Sequence, residues 1–386
     1  MLETCALGLD TSNYTTSAAL LQNGKMTSCG KLLPVKPGEI GLRQSDAVFH
    51  HTRQLPQVMA ELGGAVQHAR AIGVSNRPRD AEDSYMPCFL VGIGAAEMLG
   101  QALGVPVHRF SHQQGHIAAA LYSAQRLDYL ERPFLAFHLS GGTTEAVLVA
   151  PDHTGKVFTT QLAARSLDLK AGQVIDRVGV LLGLPFPAGR HLDPLACACG
   201  EKIRARASMK GADCSLSGVE NKCRALVESG APKETVAATC MAYVIAAIDA
   251  MCAALREQYG ALPVLFSGGV SSNSMLRAQM TEKYGAVFAE PRFSADNAAG
   301  PAVLAGTHLT SGTLVVKATR VGEDSTFGKL IELVEEAQDS QTRAQRLIDR
   351  FAQYYTPAVL VLALLLGLIT RNFRLAITVL VLGCPG

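Results

Sequence analysis

Histidines 112 and 116, in His-Gln-Gln-Gly-His, stand four residues apart. On a helix that spacing places their Cβ atoms on one face, ~6 Å apart, so two imidazoles can converge on one cation. Asp296, in Ser-Ala-Asp-Asn-Ala, is a candidate third ligand. Two nitrogens and one carboxylate leave coordination positions open, which suits a catalytic rather than a structural metal. A second chemistry is suggested by Leu139-Ser-Gly-Gly-Thr-Thr-Glu145. A glycine pair at a strand end lets backbone N–H groups approach a phosphate without side-chain interference. Phe266-Ser-Gly-Gly-Val-Ser-Ser-Asn273 repeats the design and puts an amide, Asn273, within reach of a base or ribose.

These loops need strands to end on and helices to start from. Residues 7–9, 134–137, 146–149 and 264–266 are short apolar runs ending in Gly, Ser, Thr or Asp. Helical stretches are predicted over 89–103, 112–124, 173–183 and 235–258. Alternation of this kind predicts α/β architecture with polar loops at the strand ends. A strand–turn–strand rich in Ser, Thr and Gly occurs near residue 10 and again near residue 140.

The composition excludes a disordered chain, a coiled coil and a collagen-like chain. Of 386 residues, 18% are charged and 48% hydrophobic, against roughly 25% charged in an average globular domain. The net charge of +2 gives no global basic field, although a local patch would leave no trace in that total. The ten cysteines show no Cys-x-x-Cys pair. Most lie in apolar runs and read as buried thiols, Cys197-Ala-Cys199 included. With no signal peptide evident, the expected compartment is the cytoplasm.

Taken in order, the motifs resemble the tRNA threonylcarbamoyladenosine transferases, once described as O-sialoglycoprotein endopeptidases. The resemblance runs from residue 6 to about 307. It includes Leu7-Gly-Leu-Asp10-Thr-Ser, the His-x-x-x-His helix, the Ser-Gly-Gly loop, Val174-Ile-Asp176-Arg with Phe186-Pro-Ala-Gly189, Ser215-Leu-Ser-Gly218, Gly268-Gly-Val-Ser-Ser-Asn273 and Asp296-Asn-Ala-Ala. It implies the actin-like ATPase fold, two lobes with a nucleotide cleft between them. It implies metal ligation by His112, His116 and Asp296, with iron favoured over zinc. His138, Leu139, Ser140, Gly141 and Gly142 match the loop holding the adenylate phosphate and carbamoyl group. Asp176, Gly189, Asp193 and Asn273 match positions that bind the nucleotide sugar and base. For Gly189 a simple turn, and for Asp193 a cap on the helix that follows, stay open as alternatives. Asp10, Ser140 and Thr143 fall where groups acting on the acyl carbon would stand.

The implied reaction is acyl transfer from threonylcarbamoyl-AMP to N6 of adenosine 37 in tRNAs reading ANN codons, assisted by the metal. The implied partners are tRNA, an adenylate-forming enzyme and a dimerising paralogue. Three departures favour a rival reading, a divergent paralogue that binds adenine nucleotide without catalysis or serves another acceptor. The opening reads Asp10-Thr-Ser-Asn-Tyr-Thr where the family carries further acidic groups. Thr143 replaces the usual histidine, and Arg77-Pro-Arg-Asp-Ala-Glu-Asp-Ser replaces a Pro-Gly-rich turn.

Residues 311–386 resemble a different family, the heavy-metal P-type ATPases, through Val321-Gly-Glu-Asp-Ser-Thr-Phe-Gly-Lys, Tyr355-Thr-Pro-Ala-Val and Leu382-Gly-Cys-Pro-Gly. The segment carries no phosphorylated aspartate, so a pump is excluded and a joining of two reading frames near residue 310 is favoured. Its uncharged stretch 351–370 is long enough for a transmembrane helix, and a shorter apolar helix is expected over 375–383. Membrane contact through this tail is the corresponding expectation.

Overall fold

The computed structural model describes residues 5–12, 14–34, 42–81, 84–152, 157–201, 203–293 and 297–310, with Val361, Leu364, Leu365, Leu368, Ile369 and Arg374 beyond them. The chain divides into two compact units, Met1–Thr313 and Leu314–Gly386.

The first unit holds two five-stranded sheets. In the first, β1 (Cys5–Asp10), β2 (Thr15–Gln22) and β3 (Lys25–Leu32) form an antiparallel meander, followed by α1 (Gln44–Glu61). β4 (Ala71–Arg77), α2 (Phe89–Leu103) and β5 (Val107–Ser111) complete it, in the order β3-β2-β1-β4-β5. Helix α3 (His112–Ser123) then leads to the second sheet. There β6 (Phe134–Leu139), β7 (Thr144–Pro151) and β8 (Phe158–Arg165) form a second meander. A helical excursion follows: α4 (Ala171–Leu181), α5 (Gly189–Ala198), the hairpin β9 (Ser208–Lys210) and β10 (Asp213–Ser215), α6 (Ser217–Glu228) and α7 (Lys233–Tyr259). β11 (Val264–Ser267), α8 (Ser274–Tyr284), β12 (Val287–Phe288) and α9 (Ala299–Thr310) close the unit.

The second sheet runs β8-β7-β6-β11-β12. In each sheet the central strand, β1 or β6, pairs antiparallel with the next strand in sequence and parallel with a strand reached by crossover. The echo near residues 10 and 140 is this repeat, the two first hairpins at equivalent places. Two lobes of one duplicated topology make the actin-like ATPase fold.

Strand alternation assigns the cores. Leu135, Phe137 and Leu139 of β6 pack under α4 to α8, while Phe134 and Ala136 face the other way. That other layer is shared with Ile117 and Leu121 of α3 and Val303 and Leu304 of α9, so both helices lie between the sheets. Phe137, Phe266 and Phe288 stack across β6, β11 and β12 with centroids 4.8 and 5.0 Å apart, worth about 0.5–1.5 kcal/mol per pair beyond burial.

Among the described residues one helix, α7, is long and apolar enough to cross a membrane. It is mostly buried and serves as the spine of the second lobe. The predicted helices over 351–370 and 375–383 lie largely outside the described residues. Within the first, Val361, Leu364, Leu365, Leu368 and Ile369 are helical and exposed. One expectation is corrected: Cys197 is exposed and Cys199 half-buried, because the last turn of α5 faces outward.

Candidate active site

Helix α3 begins where a capping box dictates. Ser111 Oγ accepts the Gln114 N–H at 3.2 Å, and Gln114 Oε1 accepts the Ser111 N–H at 2.8 Å. His112 is therefore the first residue of the helix and His116 lies one turn on. Their Nε2 atoms are 2.9 Å apart. Two imidazole nitrogens sharing one ion at ~2.0–2.1 Å are separated by roughly 2.9–3.3 Å, so the pair fits a common metal. Asp296 lies outside the described residues. The helix that follows it, α9, packs against α3 so closely that a Cβ on Gly300 would collide with the backbone of Gly115. Among the described residues no group of three His, Cys, Asp or Glu forms a metal cluster.

Asp10 ends β1 behind the histidines, fully buried. Its Oδ2 lies 2.9 Å from His112 Nδ1 and accepts from Ser75 Oγ at 2.5 Å, and its Oδ1 accepts from the Ser12 N–H at 2.8 Å. Burial opposes its ionisation, but the His112 charge and the hydrogen bonds from His112, Ser12 and Ser75 outweigh it and hold the carboxyl below its ordinary value. An ionised Asp10 keeps the proton on Nδ1, so that the Nε2 lone pair points toward His116 Nε2. Ser12 Oγ stands 2.9 Å from the same Nδ1. Asp10 thus ties the end of β1 to His112, Ser12 and Ser75.

Ser140 to Thr143 make the turn between β6 and β7. The Ser140 N–H donates to Thr143 O at 2.7 Å, and Ser140 Oγ accepts the Thr143 N–H at 3.1 Å. Gly141 and Gly142 are exposed, and a Cβ on either would meet nothing within 4 Å. On the inner side α4 presses on the loop: a Cβ on Gly172 would come 2.7 Å from Gly141 N.

Two cavities meet at this loop. One, about 340 Å³, is lined by His112, His116, His138, Ser140, Gly142 and Thr143. The other, about 530 Å³, is lined by Gly141, Asp176, Gly189, Asp193, Gly269 and Asn273. His112 and His116 and the predicted nucleotide residues thereby line two adjoining chambers, with Leu139 buried beneath the loop. His138 Nδ1 lies 3.1 Å from Ser267 Oγ.

In the larger chamber Asp176 Oδ1 accepts the Ala188 N–H at 2.8 Å, tying α4 to the entry of α5. Gly189 opens α5. Asp193 lies inside α5. Its carboxylate accepts from Asn273 Nδ2 at 2.6 Å and from Ser274 N at 3.1 Å, so the helix it caps is α8. Asn273 Oδ1 accepts the Leu276 N–H at 2.9 Å, which leaves one Nδ2 proton for a ligand.

Sequence reasoning missed Arg79, Gln113 and Glu145 in the smaller chamber. Buried Glu145 accepts from Arg79 at 2.9 Å and from Gln113 Nε2 at 3.1 Å. Glu145 was within the quoted loop and Gln113 within the histidine motif, but only the register of β7 against α3 joins them.

Comparison with known proteins agrees with this architecture. The sequence model of the family TsaD, tRNA N6-adenosine threonylcarbamoyltransferase, matches residues 45–303. The protein of that name from Geobacillus thermodenitrificans is 32% identical over 302 residues, 72% of this chain and 82% of the relative. The Thermus thermophilus one is 30% identical over 303 residues, 76% of this chain and 89% of the relative. Among solved structures, T. kodakarensis HypF aligns with a TM-score of 0.49 at 16% identity, over 79% of this chain and 48% of that one. This chain therefore belongs to the tRNA N6-adenosine threonylcarbamoyltransferase family.

Proposed function

We propose that the protein transfers the threonylcarbamoyl group of threonylcarbamoyl-AMP to N6 of adenosine 37 in tRNAs reading ANN codons. The observation that carries this reading is the junction of two chambers at one glycine loop. One is lined by Asp176, Gly189 and Asn273, which match nucleotide-binding positions, and the other is walled by facing histidines. The AMP moiety lies in the chamber of Asp176, Gly189 and Asn273, and its acyl phosphate crosses the loop at Gly141 and Gly142. Backbone N–H groups there stabilise charge on the leaving phosphate. The N6 amine attacks the carbamoyl carbon: the N–C bond forms, the C–O bond to phosphate breaks, and AMP leaves as the amine proton is lost. No covalent enzyme intermediate is required, so none of the cysteines is needed as a nucleophile.

Residues His112, His116 and Asp296 would hold the metal, iron in preference to zinc, which when bound supplies Lewis-acid polarisation of the carbamoyl or phosphate oxygen. Asp10 fixes the imidazole of His112 for that purpose. The reaction is cytoplasmic in this reading. An adenylate-forming enzyme supplies the acyl-adenylate, a dimerising paralogue assists, and the tail gives membrane contact. The test is AMP release from threonylcarbamoyl-AMP with tRNA, with and without added metal. Release that depends on both tRNA and metal supports the reading. Nucleotide binding without release supports the non-catalytic paralogue, which the Thr143 replacement favours.

A further inference from the structure

After α5 the chain runs extended through Ile203-Arg-Ala-Arg-Ala-Ser-Met-Lys210, its last three residues forming β9. Exposure alternates residue by residue. Ile203, Ala205, Ala207 and Met209 are half-buried, whereas Arg204, Arg206, Ser208 and Lys210 are exposed. The inward row, together with the exposed Arg206 at its mouth, lines a cavity of about 910 Å³ against α7. The outward row carries cations on one line, with a step of about 6.8 Å for every second residue of an extended strand.

These cations differ from several others in this lobe, which are paired with carboxylates. Arg177 and Arg224 both bond Glu220, and Lys283 bonds Asp249. Among the described residues the side chains of Arg204, Arg206 and Lys210 have no hydrogen bond or ion pair. Asp213, opposite Lys210 on β10, gives its Oδ1 to the Arg165 N–H. Small side chains lie between the cations, and no large apolar side chain on this row offers a hold for lipid or for a peptide's hydrophobic residues.

The row also stands close to the nucleotide chamber. Asp193 and Pro194 of α5 line that chamber, while Ala196 and Cys199 line the cavity beneath the cationic row. Asn273 and Met275 divide in the same way at the start of α8. The two cavities therefore share α5 as a wall, about one helical turn thick along the chain.

We infer that the exposed row Arg204, Arg206 and Lys210 is a docking rail for the sugar–phosphate backbone of the RNA substrate. It positions the RNA without reading its sequence. The inference rests on the proposed transfer to tRNA for the identity of the RNA. The rail requires only a polyanionic strand in its regular, unpaired cations.

The experiment measures binding of the full chain to a tRNA transcript by fluorescence anisotropy across about 50–200 mM salt. The variant Arg204→Gln/Arg206→Gln/Lys210→Gln should bind at least about tenfold more weakly at low salt. Its plot of log affinity against log salt should be shallower by about two to three, one unit for each lost phosphate contact. AMP affinity by calorimetry should be unchanged, which controls for folding, and Arg204→Lys/Arg206→Lys should keep the wild-type slope. Unchanged tRNA affinity and slope in the triple variant overturn the rail. So does a variant that loses binding only to phosphatidylglycerol vesicles, or a loss shared by the charge-keeping variant. The two readings separate cleanly. A wild type that binds tRNA through these cations but transfers nothing removes the proposed function and keeps the rail. An active wild type indifferent to the triple change does the reverse.

Discussion

The carboxylate of Asp10 and the imidazole of His112 meet at 2.9 Å although 102 residues separate them. A strand end in one sheet is holding the first residue of the helix that carries the histidine pair. The contact exists because β1 and β4 lie side by side in the sheet and α3 leaves directly from β5.

Replacing both histidines, His112→Ala/His116→Ala, should abolish metal retention. Asp10→Asn should weaken it by about 10–100-fold while leaving both ligands in place. Metal content by elemental analysis and metal titration check this, and unchanged stoichiometry in the double variant would sink the site.

Asp176→Ala should weaken AMP binding by about tenfold, the equivalent of ~1.4 kcal/mol for one hydrogen bond to a charged group. Calorimetry measures it. Equal affinity would confine Asp176 to its bond with the Ala188 N–H.

Gly172→Ala would drive a methyl group into the Gly141 backbone. A stability loss of about 1–3 kcal/mol is expected from such overpacking, with nucleotide affinity falling in parallel because the loop must move. Thermal melts with and without AMP separate the two effects.

Acid sensitivity should be traceable to Asp168. Partial burial raises its carboxyl, but hydrogen bonds from Leu216 N and from Ser217 N and Oγ lower it further, so the folded value lies below the ordinary one. A depressed folded value means the contribution is fully present above the unfolded value of about 3.9 and is lost as pH falls through the folded value. The melting-temperature gap between wild type and Asp168→Asn should therefore be constant above about pH 5 and narrow below pH 4.

Truncation after Thr313 should leave melting temperature and AMP affinity within error and raise solubility. The first unit closes its own cores. Exposed Val361, Leu364, Leu365, Leu368 and Ile369 would be removed with the second. A substantially lower melting temperature would show that the tail contributes to the enzyme body.

Much of this arrangement was legible in the sequence. Helix 89–103 is found at its predicted limits, and 112–124 and 235–258 lie within two residues of theirs, because apolar periodicity and the Ser111 start signal agree with the tertiary packing. The glycine loops were legible too, since their residue types serve a backbone need that is local. Asp10 was placed at the site but its service to His112 was not, because a hydrogen bond across two strands leaves no spacing signal. For the same reason the pairing of Arg79 with Glu145 went unremarked, and the bond from Ser274 at the start of α8 to Asp193 left no sign in the sequence.

Helix α9 has a consequence for how the protein is made. It covers β1 and β4 so closely that Cβ atoms on Gly8 and Gly73 would strike its backbone or the turn before it. The core that the second sheet forms with α4 to α8 is continuous in sequence and can assemble as it emerges from the ribosome. The first lobe must wait for residues 299–310, with one face of its sheet bare through most of synthesis. That face of β1 and β4 is covered only once the chain has been made through α9, so the first lobe is the last part of the unit to close.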